Sequence, residues 1–84
     1  MTSMNRQIRI YTTTSCGDCR RAKWFLRERQ LAYEEIDIEA DPAAADFVSL
    51  VNHGKYKVPT FDVNGHTFNC SPYDPEKLAR ELGL

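Results

Sequence analysis

A small α/β fold is predicted, ordered strand, helix, strand, helix, strand, strand, helix, with a mixed four-stranded sheet flanked by three helices. Three observations predict it. Short runs rich in isoleucine, valine and aromatics alternate with longer stretches whose apolar residues recur at helical spacing. Asp41-Pro42 and Asp74-Pro75 each pair a helix-capping side chain with a proline suited to a first turn. Asn64-Gly65, between two short strand-like runs, is the strongest hairpin signal in the chain. Helical crossovers imply parallel neighbouring strands and the hairpin forces an antiparallel pair, so the sheet is expected to be mixed.

Residues 1–6 are expected to form a loose lead-in. Residues 8–12 predict a buried strand, with Ile8 and Ile10 on one face. The first helix is expected from about Cys16 to Arg29, with Cys19, Ala22 and Leu26 on its apolar stripe, Phe25 beside it and Trp24 off it. Leu31 to Ile38 predicts a second strand. Ile36 and Ile38 share one of its faces, and Glu35, Asp37 and Glu39 form a solvated acidic face on the other. The second helix opens at Asp41-Pro42, takes its apolar side from Phe47, Val48, Leu50 and Val51, and stops at Asn52-His53-Gly54. Phe61 and Val63 lie in a third strand, His66 to Asn69 in its return, and the last helix carries Leu78 and Leu82 and ends at Gly83.

Eighty-four residues, 42% of them hydrophobic and with nine aromatics, suffice for one domain over 1–84 with one modest core. A formal net charge of −1 makes no global electrostatic case for nucleic acid or membrane. No apolar run approaches the ~20 residues of a membrane span, and no apolar stretch follows the N-terminus as a signal peptide would require. Three cysteines make a poor disulfide framework, so a reducing, cytoplasmic location is expected.

The chemistry is concentrated in Cys16-Gly17-Asp18-Cys19, at the seam between the first strand and the first helix. Two cysteines at this spacing suit a redox pair. A helix start leaves N–H groups unpaired and carries about half a positive charge, which stabilises a thiolate, the attacking species. Lowering a thiol pKa from ~8.5 to ~7 raises the thiolate fraction at pH 7 roughly 16-fold. Lower nucleophilicity takes back roughly five-fold, and the larger gain is a better leaving group. Cys16 is therefore expected to attack. Cys19, one turn further in, is expected to resolve the mixed disulfide. Ser15-Cys16-Gly17-Asp18 also matches a capping box, with Ser15 as N-cap and Asp18 at the third helical position.

Cys16-Gly17-Asp18-Cys19 after a first strand, with Val58-Pro59-Thr60 before a hairpin, resembles a glutaredoxin of the thioredoxin superfamily. The resemblance covers the chain from Ile8 to Leu84. It implies the thioredoxin-like fold and thiol–disulfide exchange on protein disulfides or mixed disulfides. It also implies a cis peptide before Pro59, with the Val58 backbone N–H and C=O offered to a bound disulfide. Thr13, Ser15, Gly17, Lys57, Val58, Pro59, Cys70 and Ser71 are the substrate-contacting positions it implies, beside the catalytic Cys16 and Cys19. Tyr11-Thr12-Thr13-Thr14-Ser15-Cys16, Asp37-Ile38-Glu39 and residues 43–48 resemble the mycoredoxin branch, which handles mycothiol. Ser71-Pro72-Tyr73-Asp74-Pro75-Glu76 resembles the tail of NrdH-type redoxins, electron donors to ribonucleotide reductase recharged by thioredoxin reductase. Thr13 stands where glutathione-using members usually carry lysine, and Asn69-Cys70 where they carry a glycine pair. Lys55 and Lys57 could meet a carboxylate of a small thiol. No tightly bound cofactor is implied; glutathione or mycothiol enters as co-substrate, and a monomer is expected.

Cys70 has three readings: a buried filler, a second resolving thiol or a regulatory oxidation site. A function of another class stays open as well. Cys16, Cys19, His66 and Cys70 could together hold zinc, although the gap between the two pairs is far longer than in zinc fingers. An iron–sulfur cluster at Cys16 with an external thiol is a further metal reading.

Overall fold

The computed structural model describes residues 7–84; the loose lead-in expected at 1–6 lies outside them. Four strands and three helices follow the expected order: β1 (Ile8–Thr12), α1 (Gly17–Glu28), β2 (Glu34–Asp37), α2 (Pro42–Val51), β3 (Thr60–Val63), β4 (His66–Asn69) and α3 (Pro75–Glu81). The sheet order is β2-β1-β3-β4. β1 pairs parallel with β2, and β1–β3 and β3–β4 are antiparallel. Only the first helical crossover therefore yields a parallel pair. α2 ends beside the start of β3, where Asn52 bonds to Thr60, and Thr60 pairs with Tyr11 near the Cys16 end of β1, so β3 runs opposite to β1.

Side-chain alternation along β1 assigns the two faces of the sheet. Ile8 and Ile10 point to one face and pack with Ala22, Phe25 and Leu26 of α1, Phe61 of β3, Cys70, and Leu78 and Leu82 of the α3 region. Tyr11 points to the other face, where Ile38, Ala44 and Val48 form a smaller cluster and the Phe47 ring lies 5.1 Å from the Tyr11 ring. Helices α1 and α3 thus cover one face and α2 the other.

The helix signals act as their chemistry requires. Asp41 accepts the Ala44 N–H, Asp74 accepts those of Glu76 and Lys77, and a proline follows each cap. Asn64 and Gly65 both have positive φ, 54° and 92°, as a two-residue hairpin of the primed type needs. The stop at Asn52-His53-Gly54 likewise uses positive φ at His53 and Gly54.

Four details differ from expectation. The N-cap of α1 is Cys16 and not Ser15; the capping box does not form, and Asp18 pairs with Arg21 one turn on at 2.9 Å. The second strand is only Glu34–Asp37, because Leu31 N–H bonds back to the Leu26 carbonyl and closes α1 first. Leu50 is 79% exposed, since Ala44 and Val48 at i and i+4 set the buried stripe of α2 and Leu50 falls beside it. The acidic face of β2 is not simply solvated: Glu35 accepts the buried Thr12 hydroxyl at 2.8 Å and pairs with Lys23 at 2.8 Å.

Candidate functional site

The site lies where β1 hands over to α1. Thr13, Thr14 and Ser15 carry the chain out of the sheet, and Cys16 takes the N-cap with extended φ and ψ of −97° and 114°. A cap residue normally offers an oxygen to the first-turn amides. Here the offered atom is sulfur: the Cys19 N–H donates to Cys16 Sγ at 3.0 Å. Cys16 Sγ also lies 3.7 Å from the Val58 carbonyl oxygen, on the loop that precedes β3. This contact joins the first of the sequence-predicted residues to the second motif, 42 positions away. The peptides before Pro59 and Pro72 are cis.

The two thiols of the pair differ. Both are free, but Cys16 is partly exposed and Cys19 is 1% exposed. Burial, reinforced by the neighbouring Cys16 sulfur, pushes the Cys19 thiol up to about 12 against the Thr13 backbone and the Lys23 charge, which pull it down. Cys19 is therefore held as a thiol at neutral pH.

The remaining predicted positions fall in three groups. Thr13 is half-buried at the start of the turn and Ser15 is exposed in it. Gly17 is the first residue of α1, and a methyl group there would meet the Arg21 guanidinium at 3.4 Å. Lys57, Val58 and Pro59 form the opposing loop; Val58 is half-buried and Pro59 buried. Cys70 reaches that loop by its main chain, its N–H donating to the Pro59 carbonyl at 3.0 Å. Its thiol is turned into the α1/α3 core, wholly buried, where it bonds to the Asp74 backbone. Burial raises that thiol too. Ser71, next in the chain, donates its N–H to the Asn69 side chain.

The zinc arrangement does not form. Among the described residues no group of three or more His, Cys, Asp or Glu side chains is placed to hold a metal ion. His66 instead pairs with Glu81 at 2.6 Å.

Sequence reasoning missed the polar residues behind the Val58 loop. Asn52, Thr60 and Asn69 are joined by side-chain hydrogen bonds and support the loop from the α2 face. Asn52 was legible only as a helix stop, and no spacing signal links it to Asn69.

The chain matches the family model described as Glutaredoxin over residues 8–68. A Mycobacterium tuberculosis H37Rv protein, provisionally described as a glutaredoxin, is 51% identical over 53 residues. That match spans 63% of this chain and 63% of the relative, less than two thirds of its length. Among solved structures, the thioredoxin-like protein BC3987 superposes with a TM-score of 0.69 at 34% identity, over 88% of this chain and 97% of that one. The NrdH-redoxin of Escherichia coli gives 0.72 at 24% identity, over 88% and 92%, a likeness of fold alone.

Proposed function

The chain belongs to the glutaredoxin family, and from that premise we propose that it is a thiol–disulfide oxidoreductase using Cys16 and Cys19 on disulfide-bearing proteins or mixed disulfides. The observation that carries the proposal is the asymmetry of the pair. One sulfur is accessible at a helix start and the other is buried and held protonated.

Cys16, as thiolate, attacks one sulfur of the substrate disulfide. The substrate S–S bond breaks, its second sulfur leaves and takes a proton from solvent, and a Cys16–substrate disulfide forms. Cys19 then loses its proton and its sulfur attacks Cys16 Sγ. The mixed disulfide breaks and the second substrate thiol leaves. The substrate has gained two electrons and the protein holds a Cys16–Cys19 disulfide. Val58 sits across from Cys16, where its main chain can pair with an extended substrate as a strand edge does. Two electrons and two protons must then come from a reductant: a small thiol such as glutathione or mycothiol, or thioredoxin reductase.

Cys16→Ser is expected to abolish disulfide reduction, and Cys19→Ser to trap mixed disulfides while retaining turnover in which a second small thiol resolves the complex. Identical behaviour of the two variants would refute the division of labour. Offering the oxidised protein glutathione with its reductase, mycothiol with its reductase, and thioredoxin reductase with NADPH identifies the reductant. Selective recycling by the third would assign the chain to the NrdH-type role.

A further inference from the structure

The loop that faces Cys16 is tied down by a buried polar chain with a single possible direction. Asn52, 7% exposed, caps the end of α2. Its amide donates to the Val48 carbonyl at 2.8 Å and to Thr60 Oγ1 at 3.0 Å. Its Oδ1 accepts from the Asn69 amide at 2.9 Å. Thr60, fully buried, passes its one hydroxyl proton to the Lys57 carbonyl at 2.6 Å. Asn69 Oδ1 accepts the Ser71 N–H at 3.3 Å.

Turning the Asn52 amide over would set its oxygen against the Val48 carbonyl and its donors against the Asn69 amide. The network therefore has one satisfied arrangement, and that arrangement dictates where the Thr60 proton goes. The Lys57 carbonyl it reaches shares a peptide plane with the Val58 N–H, and in a trans peptide the two point opposite ways. Holding the carbonyl toward the buried Thr60 hydroxyl points the N–H away from Thr60. Among the described residues the Val58 N–H makes no hydrogen bond, while the carbonyl of the same residue lies beside Cys16 Sγ.

We propose that Asn52, acting through Thr60, is a positioning residue that sets the Lys57–Val58 peptide plane and presents the Val58 N–H to a backbone carbonyl of the incoming disulfide substrate. The inference rests on the exchange reading above and adds to it the two side chains that hold the Val58 main chain in place. Small disulfides without an amide carbonyl do not use the presented N–H.

The test compares wild type with Thr60→Val, Thr60→Ser and Asn52→Leu on two substrates, a disulfide-linked peptide pair and bis(2-hydroxyethyl) disulfide. Thr60→Val and Asn52→Leu are expected to lose about ten-fold in kcat/KM on the peptide disulfide, carried by KM, and less than about two-fold on the small one. Thr60→Ser, which keeps the hydroxyl, is expected to restore wild-type behaviour, and alkylation of Cys16 by iodoacetamide is expected to stay unchanged in all variants. Equal losses on both substrates, or no loss on the peptide, would overturn the inference. If Asn52→Leu fails to fold, the Thr60 pair decides. Residual dipolar couplings of the Val58 amide report the peptide plane without turnover. An unchanged coupling in Thr60→Val would sink the clamp even in a protein that reduces nothing, whereas a changed coupling in a protein inactive on both disulfides would fault only the exchange reading.

Discussion

On the α1/α3 face of the sheet, Ile8, Ile10, Phe25, Leu26, Phe61 and Leu78 fill the space, and the buried Cys70 thiol packs among them. On the α2 face, Tyr11, Ile38, Ala44 and Val48 make a cluster of four, and the space nearest the Val58 loop is filled by Asn52, Thr60 and Asn69. Apolar packing has no preferred direction and scales with area, so it supplies stability. Hydrogen bonds run from donor to acceptor at fixed angles, so they aim a main chain. The difference teaches that this small domain divides stability and aim between the two sides of one sheet.

The largest expected effect separates the two faces in stability. Phe61→Ala, emptying a wholly buried ring site, is expected to cost about 3–5 kcal/mol. A domain of this size has on the order of 4–12 kcal/mol in total. Val48→Ala on the α2 face is expected to cost about 1.5–3 kcal/mol. Urea denaturation of both checks this, and equal costs would break the comparison.

A pH effect sharpens it. The Cys19 and Cys70 thiols are both raised by burial on the α1/α3 face, the first to about 12 against an ordinary 9.0. Above pH 9 the unfolded chain releases these protons while the folded chain keeps them. The unfolded state then binds fewer protons, so stability falls as pH rises from about 9 towards 12. Cys19→Ala is expected to flatten the loss. A stability curve level through that window would show that the thiols are not held by the fold.

The smallest effect concerns the rim of the same face. The Lys23 ammonium holds Glu35 below the ordinary 4.5. The stabilisation is present above that value and is lost as pH falls through the folded-state pKa. Because Glu35 is 39% exposed, Glu35→Gln is expected to cost less than about 1 kcal/mol at pH 7 and to remove that part of the acid dependence. Thermal melts at pH 7 and pH 3.5 check it.

Much of this was legible in local chemistry. Asp41-Pro42, Asp74-Pro75 and Asn64-Gly65 act through neighbours two or three residues away, so they could be read in isolation. Ile8 and Ile10 announced their face by alternation alone. The Ser15 capping box failed because an equally local competitor, Cys16, took the N-cap position one residue later, its sulfur accepting the Cys19 N–H. Glu35 looked like one of a solvated row because nothing nearby in the chain announces Lys23 and Thr12 as its partners.

The order of elements, the pairing of Cys16 with Cys19 at a helix start and the tight hairpin followed from the amino-acid sequence, because each depends on contacts within a few residues. How completely Cys19 is buried, how Val58 comes to lie 3.7 Å from Cys16, and the joining of Asn52 to Asn69 were decided only by the tertiary structure. Burial and long-range hydrogen bonds belong to the arrangement of the packed elements, and no stretch of the chain carries them alone.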